Sequence, residues 1–133
     1  MTTVFADSFY FLALANDKDP AHAKAVQFLQ TYRGRILTSA WVVMELGDGL
    51  TNPLDRPSFL VILDSLKTEP NATIIAFSDE LLDAGVDLFR QRPDKYWSLT
   101  DCISFVIMQR EGLADALTGD HHFEQAGFTA LLK

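Results

Sequence analysis

A chain of 133 residues fits one compact domain and leaves no room for a second domain of ordinary size. Its hydrophobic fraction of 48%, with ten Phe, predicts a packed core and excludes an intrinsically disordered chain. The net charge of −7 weighs against nucleic-acid binding only if the acids are spread evenly, because the distribution of charge matters more than its sum.

The first half of the chain alternates strand and helix patterns. Asp7-Ser8 supplies N-cap residues for one helix, Asp19 and Pro20 are expected to cap and begin the next, and Ser39 can cap a third. In chain order, we predict a strand at Thr2–Ala6, a helix over Phe9–Ala15, a helix from Pro20 to Gly34, a strand at Arg35–Thr38 and a helix ending at Leu50.

The second half repeats this alternation. Ser78 is a helix-capping residue, and Ser98 or Thr100 can cap a later, mostly apolar helix that ends before Gly112. In chain order, we predict a helix over Leu54–Lys67, a strand at Thr73–Ala76, a helix ending at Arg90, a loop at Gln91–Trp97, a helix ending at Glu111, a strand at Ala114–Leu117 and a candidate fifth strand at Phe128–Leu131.

This alternation predicts an α/β fold in a single domain over residues 1–133, with a short central parallel sheet of four to five strands flanked by helices. In such sheets, ligands bind in the crevice outside the carboxyl ends of the strands. Acidic residues near those ends are therefore the candidates for function.

Four acids fall near the predicted carboxyl edge. Asp7 directly follows the first strand, Asp120 follows the fourth, Asp101 opens the apolar helix, and Glu45 lies two turns into the third helix. Asp7 and Asp101 could each be an ordinary helix cap, and Asp120 lies in a polar turn. Glu45 is harder to explain in that way, because its neighbours in the helix are apolar and a lone buried charge is costly.

Taken together, the four carboxylates indicate a site for a hard divalent cation, Mg²⁺ or Mn²⁺. Without such a cation they would repel one another. A water acidified by the cation would be the natural attacker on a phosphodiester.

Four segments then resemble the ordered motifs of the PIN-domain ribonucleases, over nearly the whole chain: Val4–Ser8, Ser39–Glu45, Ser98–Cys102 and Leu117–Phe128. The last is the most specific, since toxin members of that family end in a similar Thr-x-Asp-x-His-Phe pattern followed by Ala-Gly-Phe. The resemblance implies a metal-dependent endoribonuclease, the VapC-like toxin of a toxin–antitoxin pair, with a small antitoxin partner and a homodimeric assembly.

By position, Asp7, Glu45, Asp101 and Asp120 match the family's acidic quartet. The resemblance implies that Asp7 and Asp101 are the primary metal ligands and that Glu45 and Asp120 complete or orient the shell. The hydroxyls of Ser8, Thr100 and Thr118 match its polar companions. After Glu45 the chain departs from the family pattern, because Leu46–Asn52 lacks the Arg that many toxin members carry. Asp48 in that segment is either plain surface, which we prefer, or an extra acid at the rim.

A basic group precedes Asp101. Arg90, Arg92 and Lys95 are expected to contact RNA phosphates, and Trp97 beside them is as suited to base stacking as to packing. The alternative is that these cations solubilise the loop or pair with Asp87 and Asp94.

The remaining alternatives concern function. A haloacid-dehalogenase-like phosphatase needs Asp-x-Asp after its first strand, and Asp7-Ser8-Phe9 does not provide it. A response receiver needs an acid pair there and a late Lys, which is also missing. A catalytically silent PIN-like module that binds RNA or protein stays open. We expect a cytoplasmic protein, since Cys102 is the single cysteine, no apolar stretch is long enough to span a membrane, and the N-terminus does not resemble a signal peptide.

Overall fold

The computed structural model describes all residues from 1 to 133 and contains seven helices and five strands. In chain order they are β1 (Thr3–Ala6), α1 (Ser8–Ala15), α2 (His22–Thr31), β2 (Arg35–Ser39), α3 (Ala40–Gly49), α4 (Arg56–Thr68), β3 (Ala72–Ile75), α5 (Asp79–Gln91), α6 (Leu99–Arg110), β4 (Asp115–Leu117), α7 (His121–Gln125) and β5 (Thr129–Ala130).

The strands form one parallel sheet in the order β3-β2-β1-β4-β5. In the register, Phe5 of β1 lies opposite Leu37 of β2 on one side and Ala116 of β4 on the other. Along the chain, β2 and β3 first extend the sheet on one side of β1, and β4 and β5 then extend it on the other side. The crevice that such a reversal opens therefore lies at the carboxyl ends of β1 and β4. The predicted α/β fold with a parallel sheet is confirmed, with five strands.

The core follows from the position of β1 and β4 in the middle of the sheet. Val4–Ala6 and Ala116–Leu117 are buried at every position, which explains why β1 has a continuous apolar run instead of an alternating pattern. Helix α6 contacts α3, α5 and α7 and is correspondingly apolar around most of its circumference.

Two helix starts were predicted wrongly, and one helix was missed. Helix α2 begins at His22, because Asp19 and Pro20 belong to a turn in which the Asp19 carboxylate accepts the backbone N–H of Ala21 at 2.8 Å. Helix α4 begins two residues later than predicted, at Arg56. The short helix α7 was not predicted at all, since five residues are too few to show a period.

Helices α1, α2 and α4 leave an apolar groove of about 810 Å³ between them. Tyr10 and Leu14 of α1, Leu29 of α2 and Val61 of α4 are among the residues that line it. The Tyr10 side chain is buried, and its hydroxyl has no hydrogen-bond partner. None of the helices combines the length and the apolar character required for a membrane span.

Candidate metal centre

The centre begins at the ends of β1 and β4. Asp7 follows β1 and occupies the N-cap position of α1, but its side chain makes no capping hydrogen bond. Instead, the Thr118 hydroxyl at the end of β4 donates to Oδ2 of Asp7 at 2.9 Å. Both residues are buried. Helix capping therefore does not account for the Asp7 carboxylate.

Glu45 reaches the same place from α3. The Ser39 side chain caps α3 by accepting the backbone N–H of Val42 at 3.2 Å, which fixes the start of the helix after β2. One and a half turns later, Glu45 turns toward α1, where the Ser8 hydroxyl donates to its Oε1. The hydroxyl that holds Glu45 therefore belongs to the residue that directly follows Asp7 in the sequence.

Asp101 lies in the first turn of α6. Its backbone N–H donates to Oγ of Ser98 at 3.0 Å, and its Oδ2 accepts the backbone N–H of Ser98 at 3.1 Å, which completes a capping box. The same Oδ2 lies 3.2 Å from Nδ1 of His122. Capping explains one oxygen of Asp101 and leaves Oδ1 without a protein donor.

Asp120 is the N-cap residue of α7, and its Oδ1 accepts the backbone N–H of His122 at 2.9 Å. Its own backbone N–H donates to Oγ1 of Thr118 at 3.1 Å. Thr118 therefore joins Asp120 to Asp7 through a single hydroxyl.

All four acids line one open pocket of about 330 Å³ at the carboxyl edge of the sheet. All but one of the other lining residues, Leu12, are polar or aromatic. These are Ser8, Phe9, Tyr96, Ser98 and His122. The sequence prediction that the four acids converge at this edge agrees with the geometry.

Burial and neighbouring charges oppose ionisation of three of these acids, Asp7, Glu45 and Asp101. The pKa of Asp7 is raised to about 7, chiefly by burial, with the charges of Glu45 and Asp101 acting in the same direction and the Thr118 hydroxyl opposing them. Burial also raises the pKa of Glu45 and of Asp101, and in both cases the charge of Asp120 adds to the effect. A compensating positive charge would therefore stabilise the ionised pocket.

The protein does not supply that charge from a lysine or arginine, because every ion pair of those residues involves an acid outside the pocket. Glu45, Asp101 and Asp120 each keep one carboxylate oxygen that accepts no protein hydrogen bond. Carboxylate oxygens that are free on one side and oriented on the other suit Mg²⁺ or Mn²⁺. The donor set thus fits a divalent cation.

The predicted polar companions divide into two groups. Ser8 and Thr118 both bond to carboxylates of the pocket. Thr100 does not line the pocket. The residue that bonds to Asp101 is Ser98, the N-cap residue of α6.

The predicted RNA-binding cations lie outside the pocket lining. Arg90 pairs with Asp87 at 3.0 Å, and Arg92 makes two hydrogen bonds of 3.0 Å to Asp94. These are the pairings that the alternative interpretation named. Lys95 has no carboxylate within the 4.0 Å of an ion pair.

Three residues were misjudged or missed. Trp97 is only 5% exposed and cannot stack on a base, whereas its neighbour Tyr96, which sequence reasoning passed over, lines the pocket. His122 was also not named as a site residue, and its ring lies between Asp101 and Asp120, 3.2 and 3.4 Å from their nearest oxygens. The sequence feature that could have identified His122 as a site residue is its position close to the Thr-Gly-Asp turn.

Comparison with known proteins gives a consistent picture. The sequence model of the PIN domain matches residues 4–129. The structure of VapC20 from Mycobacterium tuberculosis, described as a Sarcin-Ricin loop cleaving toxin, is similar with a TM-score of 0.85 and 21% identity, over 95% of this chain and 96% of that chain.

Two further solved structures share the fold. VapBC2 from Rickettsia felis, bound to a DNA fragment from its promoter, gives a TM-score of 0.66 at 15% identity, over 94% of this chain and 93% of that one. FitAcB from Neisseria gonorrhoeae gives 0.67 at 16% identity, over 96% and 94%. No curated protein sequence matches this chain significantly.

Proposed function

The chain belongs to the PIN-domain family, a family of nucleases, and from that membership together with the acidic pocket we propose that it is a divalent-metal-dependent endoribonuclease. The observation that carries the proposal is the convergence of Asp7, Glu45, Asp101 and Asp120 at the point where the strand order reverses. Residues 1–133 would act as one nuclease domain.

Mg²⁺ or Mn²⁺ would be held by Asp7 and Asp101 as primary ligands, with Glu45 and Asp120 completing or orienting the shell. When bound, the cation supplies positive charge that attracts a phosphodiester and acidifies a water molecule. The buried position of Asp7 favours strong binding, because an ionised carboxylate there lacks adequate solvation by water.

The surrounding side chains would orient these ligands. Thr118 fixes one oxygen of Asp7, and Ser8 fixes one oxygen of Glu45. The Ser98 backbone and the His122 ring hold Oδ2 of Asp101, which leaves Oδ1 free of protein hydrogen bonds. Such outer contacts commonly set the affinity of a carboxylate site for its metal.

The test is cleavage of a 12-nucleotide single-stranded RNA by the purified protein with Mn²⁺, with Mg²⁺ and with EDTA. We expect cleavage only with a metal, and we expect Glu45→Gln to reduce it by at least 100-fold, roughly the loss that removal of one catalytic group causes. Asp48→Asn is the matched control, since Asp48 is an exposed acid on the same helix, one turn further on, and should retain full activity.

A chain that binds metal and RNA but cleaves nothing would support the alternative, a catalytically silent PIN-like module. Equal activity in Glu45→Gln and wild type would remove Glu45 from the chemistry. Lys95 is the best remaining candidate for a phosphate contact among Arg90, Arg92 and Lys95, because it has no acidic partner.

The finer identity that we propose is the toxin of a toxin–antitoxin pair, acting in the cytoplasm. The support is the resemblance to the toxin members of the family and the shared fold with VapC20, which is described as a toxin. A small antitoxin protein would then be the partner, and a homodimer the assembly, which sedimentation equilibrium checks directly.

We place the antitoxin in the groove between α1, α2 and α4. Eleven of its sixteen lining residues are hydrophobic. The occupant should therefore be an apolar segment. The groove shares no lining residue with the acidic pocket, so the two surfaces can be separated by mutation.

A further inference from the structure

Tyr96 is the residue of the pocket lining that combines an aromatic ring with nearly complete exposure. Its side chain lines the pocket beside the four acids, and it is 94% exposed. A large aromatic ring that contacts water over nearly its whole surface gains little from folding. Its location at the mouth of the proposed active site therefore suggests a ligand.

The chain on both sides of Tyr96 is fixed. Trp97 is buried, donates its indole N–H to Oε1 of Gln125 at 2.9 Å, and packs edge-on against Phe105 with ring centroids 5.0 Å apart. On the other side, the Lys95 backbone N–H donates to the carbonyl of Arg92 at 3.2 Å.

Arg92 ties these two anchors together. Its guanidinium lies 5.1 Å from the centre of the Trp97 ring, and the same group pairs with Asp94. The loop is thereby held against the body of the domain, and Tyr96 is the residue directed outward. Its exposure follows from the anchoring of its neighbours.

The charge of the pocket defines what Tyr96 can bind. Its neighbours in the lining include four acids and no Lys or Arg, so a polyanion gains no electrostatic attraction from the protein there. Two of the three nearby cations are already paired with acids. Apart from the attraction of a bound cation and of Lys95, affinity for a nucleic acid at this edge has to come from a contact that does not depend on charge.

A neutral aromatic ring offers such a contact to a nucleobase. Bases of single-stranded RNA can unstack at little cost and lie on a tyrosine ring, whereas paired bases are held between their neighbours in the helix. We propose that Tyr96 is the stacking platform for one unpaired nucleobase, adjacent to the phosphodiester held at the acidic pocket. This proposal rests on the proposed ribonuclease function and specifies its substrate as unpaired RNA.

Binding is the primary test, measured by fluorescence anisotropy of a fluorescein-labelled 12-nucleotide oligoadenylate with Mn²⁺. All variants are made in the Glu45→Gln background, in which the RNA is expected to stay intact. We expect Tyr96→Ala to weaken binding by about 10-fold, within the range found when a base-stacking ring is removed, and Tyr96→Phe and Tyr96→Trp to bind like the parent. Phe89→Ala is the control, because Phe89 is an exposed aromatic residue on α5 that does not line the pocket.

Kinetics separate this role from a structural one. In the otherwise wild-type protein, Tyr96→Ala should raise KM by a similar factor and change kcat by less than threefold. The melting temperature should stay within about one degree, since an exposed ring contributes little to stability. A fully paired 12-base-pair duplex should be bound equally by Tyr96→Ala and by the wild-type protein.

Two results would overturn the proposal: equal oligoadenylate affinity in Tyr96→Ala and its parent, or loss of affinity in Tyr96→Phe. The first would mean that the ring is not a binding surface, and the second that its hydroxyl is what matters. Failure of the ribonuclease assignment is seen separately, as absence of cleavage by the wild-type protein with Mn²⁺.

Discussion

Asp7 shows at the scale of one residue how a functional carboxylate differs from a helix cap. It occupies an N-cap position without capping, is buried, and has a pKa raised from 3.8 to about 7. In the metal-free protein, the folded state therefore binds the Asp7 proton more tightly than the unfolded state does. The stability that this preference contributes is complete below about pH 4 and is lost as the pH rises toward about 7.

We therefore expect the free energy of unfolding of the metal-free protein to fall as the pH rises from about 4 to 7. The contribution of Asp7 is on the order of 4 kcal/mol, since a change from 3.8 to about 7 corresponds to roughly three tenfold steps. In Asp7→Asn that decrease should become much smaller, and the variant should be more stable than wild type at pH 8 without metal. Urea unfolding in EDTA at several pH values measures both, and identical slopes in the two proteins would contradict the expectation.

The same carboxylates predict how metal binding depends on pH. Because a cation competes with protons for Asp7, Glu45 and Asp101, Mn²⁺ affinity should increase with pH and binding should release protons. Calorimetry in two buffers of different ionisation enthalpy counts the released protons. The melting temperature should rise with Mn²⁺ in wild type but much less in Asp101→Asn. Equal Mn²⁺ affinity at pH 5 and pH 8 would show that Mn²⁺ does not bind to these carboxylates.

Sequence reasoning reached Asp7, Asp101 and Asp120 because each lies at a recognisable strand end or helix start, and it reached Glu45 because its neighbours in the helix are apolar. It missed Tyr96 and gave Trp97 an even chance of stacking because burial within an irregular loop has no period to read. Only the tertiary contacts of Trp97 with Phe105 and Gln125 decide which of two adjacent aromatic residues is covered. The sequence also left open whether Ser98 or Thr100 caps α6, and the structure shows that Ser98 does so.

At the scale of elements, the packing of α5 against α6 positions Asp101. Gly85 of α5 is buried, and a Cβ built on it would lie 2.4 Å from Cγ1 of Ile103, two residues beyond Asp101. A glycine within a helix costs about 1 kcal/mol relative to alanine, so its presence here is explained by this close approach. The two helices could not otherwise come so close, and the sequence pattern of α5 does not reveal it.

Gly85→Ala should therefore destabilise the protein by about 1 to 2 kcal/mol, because overpacking exceeds the gain in helix propensity. It should also weaken Mn²⁺ binding by moving the start of α6. In an Ile103→Ala background the same change should cost nothing or stabilise, since the contacting side chain is gone. Urea unfolding of the wild type, the two single variants and the double variant measures the coupling free energy between Gly85 and Ile103. Strictly additive effects on the free energy of unfolding would show that the contact with Ile103 does not cause the destabilisation.

At the scale of the whole molecule, the fold class was predictable and the strand order was not. Alternating elements indicate a parallel sheet, but the order β3-β2-β1-β4-β5 depends on pairings between strands about 110 residues apart, as between Phe5 and Ala116. The groove between α1, α2 and α4 was equally invisible, because residues of three helices that are separate in the sequence line it. The sequence thus predicts which residues lie at the carboxyl edge better than it predicts the surfaces between helices.

The separation of groove and pocket leads to the last prediction, that antitoxin binding and RNA cleavage can be uncoupled. Val61 and Leu60 are adjacent on α4 and similarly exposed, at 65% and 61%, but only Val61 lines the groove. Val61→Asp should weaken binding of the proposed antitoxin by 100-fold or more, because it buries an unpaired charge against an apolar partner. Leu60→Asp should leave binding unchanged, and both variants should cleave the 12-nucleotide RNA like wild type. Calorimetry with the purified antitoxin measures the affinities, and equal weakening by the two substitutions would place the partner elsewhere on the molecule.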